Sequence, residues 1–190
     1  MIRALAIALI SVTLSAGGAA QQASAPMTRP EDVATQQEFT KRVNDYYALR
    51  NKLGGNDTQQ TASAAEVANR QDQLAAKVRA QRVNAKHEDI FTDKVEELFR
   101  REIKASYRGG NGARIESSLH HAEPMPKIAL RVNAKYPSNL PLQSTPPTLL
   151  QNLPRLPKGL EYRVVGRDLI LYDSATNLIV DYIHEALPSR

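Results

Sequence analysis

Cysteine and tryptophan are absent, phenylalanine occurs only three times, and beyond the amino terminus no run is apolar enough to cross a bilayer. Without cysteine there are no disulfides, no thiolate nucleophile or ligand, and no lipid-bearing thiol. The chain must fold by packing alone, and Leu, Ile, Val and Tyr must supply the bulk that aromatic rings usually give. Several catalytic signatures are missing too: the sequence holds no G-x-S-x-G, no phosphate-binding P-loop and no G-x-G-x-x-G. His87-Glu88 begins as H-E-x-x-H does, but Phe91 stands where the second histidine belongs. His184-Glu185 fails in the same way at Pro188.

The amino terminus carries the clearest pattern. Arg3 precedes a short apolar run from Ala4 to Leu14, and the small residues "SAGGAA" follow. That order of charge, apolar core and small-residue exit is the pattern of a secretory signal peptide, too short for a membrane span. Gly18 and Ala20 suit the positions before a cleavage site, so residues 1–20 are expected to be removed and the mature chain to begin at Gln21, with 21–30 a flexible leader. Removal of Arg3 lowers the net charge from +5 to +4. A mild basic excess outside the cytoplasm favours acidic proteins, anionic lipid or wall polymer as partners, and makes nucleic acid a poor expectation.

Composition shifts near residue 123. Before it the only prolines are Pro26 and Pro30, whereas eight of the eleven fall between Pro124 and Pro157. Residues 31–122 read as helices. Pro30 with Glu31 and Asp32 is a helix entry, and Phe39, Val43, Tyr46 and Leu53 recur at helical spacing until Gly54-Gly55 stops the run. Ser63 and Glu66 form a capping box for a second helix with Val67, Gln71, Leu74, Val78 and Ala85 on one face. That narrow face, interrupted by Gln71 and Gln81, predicts a long antiparallel helical hairpin that opens more readily than the rest of the chain. A third helix follows a Thr92 cap, with Val95, Leu98, Phe99 and Ile103 inward and the pairs Glu96–Arg100 and Glu97–Arg101 outward. A short helix over 113–121 turns Ile115 and Leu119 inward.

Residues 123–190 read as a Pro-rich crossover and a small antiparallel sheet. "KIALRVNAKYP" alternates like a half-buried strand over 127–136, and "LEYRVV", "DLILYD" and "LIVDYI" form a three-stranded meander. Gly166-Arg167 fits a type II′ hairpin turn, and Asn177 fits a left-handed position in the longer second loop. The pentapeptide RVNAK occurs twice, at 82–86 within a helical pattern and at 131–135 within a strand pattern. Context should therefore decide its conformation, since propensity is weak.

"DIFTDKVEELFRR", "LRVNAKYP" and "TPPTLLQNLPRLPKGLEYRVVGRDLILYDSATNLIVDYI" together resemble a family of uncharacterised exported bacterial proteins, over roughly residues 89–186. The terminal "YRVVGRDLILYDSATNLIVDYI" is similar, more loosely, to the hairpin of small periplasmic proteins of the nickel/cobalt-homeostasis type. The resemblance implies export and an α+β architecture, and brings no catalytic residue with it.

Candidate chemistry is sparse. His120 and His121, with Glu116 and Glu123, are the metal-ligand candidates, because Glu116 and His120 share a helical face. Adjacent helical histidines diverge by about 100°, which works against joint ligation. Asp168, Asp173 and Asp181 are the carboxylates most able to cluster in the sheet, where a hydrolase needs two held about 5–10 Å apart. Asp168 and Asp173 also suit turn-flanking roles, and Asp181 suits a cross-strand pair with Arg163 or Arg167. Tyr162, Tyr172 and Tyr182 suit strand-face packing or a Tyr/Arg binding surface. The expectation is a non-enzymatic exported interaction module without a cofactor, its partner a protein or anionic envelope component. A periplasmic metal- or small-ligand-binding protein is the alternative, and a hydrolase using the sheet carboxylates the third reading.

Overall fold

The computed structural model describes residues 29–54, 63–108, 111–120, 129–137 and 145–188. The expected signal segment and leader, at 1–20 and 21–30, lie almost wholly outside them. The chain is α+β, with helices α1 (Pro30–Gly54), α2 (Ala64–Gln81), α3 (Asp93–Ser106), α4 (Asn111–His120) and α5 (Pro147–Leu150). Strands β1 (Leu160–Val165), β2 (Asp168–Asp173) and β3 (Leu178–Ile183) form an antiparallel meander in the order β1-β2-β3. Among the described residues, no helix is long and apolar enough to cross a membrane.

The three phenylalanines that the sequence can spare are gathered in one place. Phe39 of α1 lies 4.9 Å from Phe99 of α3 and 5.5 Å from Phe91, and Tyr162 of β1 closes the group 5.9 Å from Phe99. Around them one face of the sheet contributes Leu169, Leu171, Leu178, Val180 and Ile183, while α4 and α5 add Ile115 and Leu149. The sequence predicts a loose hairpin beside a stable base, but α1 is itself part of the core: Phe39, Val43, Tyr46 and Arg50 are all buried. Of α2 only Ala75 and Val78 are buried, and Val67 remains 51% exposed.

Local signals held at most element ends. The Ser63/Glu66 capping box forms, with Ser63 N–H donating to Glu66 Oε2 at 2.7 Å and Glu66 N–H donating to Ser63 Oγ at 3.3 Å. Gly166 sits at φ 63 between the paired residues Val165 and Asp168, as the two-residue turn requires. Asn177 adopts φ 53. Glu96 pairs with Arg100 at 2.7 Å, but Arg101 reaches past Glu97 to Asp32 of α1 and ties the two helices together.

Both readings of RVNAK need correction. α2 ends at Gln81, so the first copy is not helical and Ala85 is not on its face; the second copy is not a regular strand. Each copy forms a turn closed by the alanine N–H on the arginine carbonyl: Ala85 to Arg82 at 3.0 Å, and Ala134 to Arg131 at 3.1 Å. The two turns also meet. Arg82 Nη1 donates to Asn133 Oδ1 at 2.8 Å, and Asn133 Nδ2 donates to the Arg82 carbonyl at 3.0 Å. Asn133 takes φ 62, which breaks the expected strand over 127–136. What survives is an edge contact: Asn133 and Tyr136 donate to Ile179 and Asn177, and Lys135 bridges Leu178. Leu130 and Tyr136 thereby cover the second face of the sheet over Ile170, Tyr172 and Ile179.

A bulge explains the remaining difference. Leu171 pairs with Asp181 while Tyr172 pairs with Ile179, so β3 carries one extra residue, Val180. One extra residue reverses the phase of the pleat. Asp181 therefore turns to the helical side rather than across the strands to Arg163 or Arg167.

Candidate functional site

The second half of α1, α2 from Val67 to Lys77 and the two loops at 158–159 and 174–175 line an open groove of about 560 Å³. Its floor is built by a buried ion pair. Arg50 falls in the inward stripe of α1, four residues after Tyr46, and its Nη1 donates to Asp173 Oδ1 at 2.9 Å. The Tyr46 hydroxyl donates to Asp173 Oδ2 at 2.7 Å, and the Ala175 N–H donates to Oδ1 at 3.0 Å. Burial first, and then the neighbouring Asp173 charge, push the Tyr46 phenol far above its ordinary range, so it stays a donor. Arg50 Nη2 also donates to the Lys158 carbonyl at 3.2 Å, and its guanidinium lies 4.6 Å from the centre of the Tyr47 ring. Gly159, at φ 85, lets the loop come this close: a Cβ there would lie 2.9 Å from Arg50 Nη1.

Charge distinguishes the groove. Among the described residues its lining includes Arg50, Arg70, Lys77 and Lys158 and no carboxylate. Asp173 answers Arg50 from below. Lys77 and Lys158 are exposed, and neither has an ion-pair partner among the described residues. Tyr47, Leu74 and the Gln71 amide also line it; Gln71 Nε2 donates to the Ser174 carbonyl at 2.8 Å and fixes α2 to the β2–β3 loop. The surface offers cations beside apolar and amide side chains. No nucleophile–base pair stands among its described residues.

The sheet carboxylates do not gather into a hydrolytic pair. Asp173 is committed to Arg50, Tyr46 and Ala175. Asp181 accepts from the N–H groups of Ile90, Phe91 and Tyr182 at 2.8, 3.0 and 2.9 Å, and anchors the segment before α3. Burial is the leading influence on its carboxyl and raises it above the usual range, with those three donors pulling the other way. Asp168 accepts the Glu185 N–H at 2.8 Å, a turn-flanking role as expected. Of the tyrosines, Tyr162 donates to the Pro154 carbonyl and Tyr172 to Asn177 Oδ1, each at 3.0 Å. Arg163 pairs with Glu161, and Arg167 donates to the Leu187 carbonyl, so the Tyr/Arg surface is knitted to itself.

Of the four expected metal ligands, His121 and Glu123 lie outside the described residues, as does the side chain of His120. Glu116 is on α4, where its charge helps raise the Tyr107 phenol after burial. The two incomplete H-E motifs, in contrast, meet: the His87 and His184 rings lie 5.8 Å apart with Tyr182 stacked on His87. Glu88 and Glu185 both adopt the left-handed region, at φ 73 and φ 45. No spacing rule joins residues so far apart, so the sequence marks the two H-E pairs only as incomplete motifs and does not mark Arg50. No family model, curated protein or solved structure matches the chain.

Proposed function

We propose that the chain is an exported, non-enzymatic binding module that docks an acidic segment of a partner protein in the groove between α1 and α2. The observation that carries this reading is the groove's one-sided charge: Lys77 and Lys158 rim it beside Arg70, and among the described residues no carboxylate lines it. Such a cleft attracts anionic groups and strengthens with falling ionic strength. The Arg50–Asp173 pair supports the same reading, because a floor fixed before binding lowers the ordering cost of association. The commitment of Asp173 and Asp181 to structural hydrogen bonds supports a non-enzymatic role. Export rests on the pattern of residues 1–20.

Photo-cross-linking tests it. A photoreactive residue in place of Gln73, which lines the groove, should capture partners that one in place of Val33, near the start of α1, does not. Lys77→Glu with Lys158→Glu should abolish the capture. Equal capture from both positions, or capture insensitive to the charge reversal, refutes the reading. Cross-links to a non-protein anionic polymer would assign the groove to an envelope component instead.

A further inference from the structure

The inward stripe of α2 outruns the helix that covers it. Val67, Leu74 and Val78 are spaced by seven and four residues, so all three face the same way. Their burial falls toward the helix start: Val78 is fully buried, Leu74 is half-buried against the core, and Val67 is 51% exposed. Two contacts show why. Arg82, at the end of α2, lies over the Tyr46 ring of α1, its guanidinium 5.0 Å from the ring centre. Eight residues further along α1, Gly54 lies beside Leu74, eight residues back along α2; a Cβ at Gly54 would be 3.6 Å from Leu74 Cδ2. α1 therefore runs antiparallel to α2 and ends at the level of Leu74. Val67 stands about 10 Å further along the α2 axis, past the end of α1. The tie from Gln71 to the Ser174 carbonyl also falls one turn short of it.

The uncovered end of the stripe is flanked by charge of one sign. Val67 lines the same groove as Leu53, Leu74, Lys77 and Lys158. An apolar side chain laid there meets aliphatic groups and has cations beside it. The chain joining the two helices, residues 55–62, holds no aliphatic or aromatic side chain larger than alanine, so it carries no such group. A purely acidic segment would answer the lysines and leave Val67 wet. Burying an apolar group there adds affinity that salt does not screen.

We infer that, given the docking proposed above, on which this rests, the partner's acidic segment carries an apolar anchor. One aliphatic or aromatic side chain seats on Val67 and Leu74, flanked by carboxylates that face Lys77 and Lys158. The anchor discriminates among acidic partners, which charge alone does poorly, and the lysines set encounter and register.

Two fluorescent acidic peptides test this, identical except for leucine or serine at the centre. Anisotropy with the untagged chain at physiological ionic strength should show the leucine peptide binding at least about fivefold tighter. Val67→Ser should bring the leucine peptide down to the affinity of the serine peptide and leave the serine peptide unchanged. Val33→Ser, at an exposed valine of α1, should leave the leucine preference intact. Val67 lies outside the buried core, so its variant keeps the fold, which circular dichroism checks. Equal binding of the two peptides, or a leucine preference that survives Val67→Ser, overturns the anchor; if Lys77→Glu with Lys158→Glu still weakens both peptides, docking in the groove stands. No binding of either peptide, or binding indifferent to the charge reversal, overturns both. Self-association of the chain that is lost in Val67→Ser would overturn the anchor by assigning the stripe to a second copy.

Discussion

Replacing Arg50 with alanine should destabilise the protein far more than removal of a surface cation does. The Arg50 and Asp173 side chains are 7% and 0% exposed, so the pair is shielded from solvent on both sides. Without Arg50, Asp173 keeps the Tyr46 hydroxyl and the Ala175 N–H but loses the one cationic hydrogen-bond partner it has among the described residues. Breaking a buried pair by removing one member costs about 3–5 kcal/mol. For a chain of this size each kcal/mol shifts the melting midpoint by about 2–4 °C, so the expected fall is about 6–20 °C. Urea unfolding followed by circular dichroism gives the free energy, and an unchanged m-value shows that the unfolding reaction is the same. Adding Asp173→Asn to Arg50→Ala should recover part of the loss, because the stranded charge is then gone. A cost below about 1 kcal/mol, the worth of an exposed pair, refutes the claim that α1 is locked to the sheet through this contact.

Two further perturbations separate local geometry from charge. Gly159→Ala should destabilise more than Gly166→Ala in the same urea assay: both glycines have positive φ, but only a Cβ at 159 meets Arg50, whereas 166 faces open space. Equal losses contradict the packing described around Arg50. The Glu66 carboxyl is held below its ordinary range, first by the Ser63 backbone N–H and then by the Ser63 side chain. Its capping contribution should therefore be complete above about pH 4.3 and vanish as pH falls through the lowered folded value. Carboxyl NMR titration should show Ser63→Ala moving that value only part of the way back, because the backbone donor remains; no movement contradicts the reciprocal cap.

How far the sequence spoke depended on whether a feature was local. Phe39, Val43 and Tyr46 were legible from helical spacing alone, and Gly166 and Asn177 from the backbone their turns require. Arg50 occupies the next inward position of the same stripe, yet a cation there reads as solvated until Asp173, 123 residues later in the chain, is seen beneath it. The strand phase misled for a related reason. Alternation in "LIVDYI" predicts one set of faces, and the extra residue at Val180 reverses them for Asp181, which no count of hydrophobic residues reveals. RVNAK shows the opposite failure. The flanking patterns were trusted over the pentapeptide, but each copy closes a turn through an Ala N–H on the Arg carbonyl, and the two turns are then held to each other by Arg82 and Asn133, a contact that no local pattern reveals. The His87 cluster was half legible: each H-E pair drew notice and was set aside, since the fold, not the spacing, brings them together.

The most direct test of the account is the affinity of the untagged chain for a fluorescent glutamate-rich peptide, measured by anisotropy at low and at physiological ionic strength. Binding should weaken as salt rises. Lys77→Glu with Lys158→Glu should reduce it by about tenfold or more, since reversing each rim charge replaces an attraction of up to about 1 kcal/mol with a repulsion. The same reversal at Lys41 with Lys94, both outside the groove, should have a much smaller effect. Wild-type affinity in the folded Lys77/Lys158 variant, or an equal loss in the control, would contradict docking in the groove.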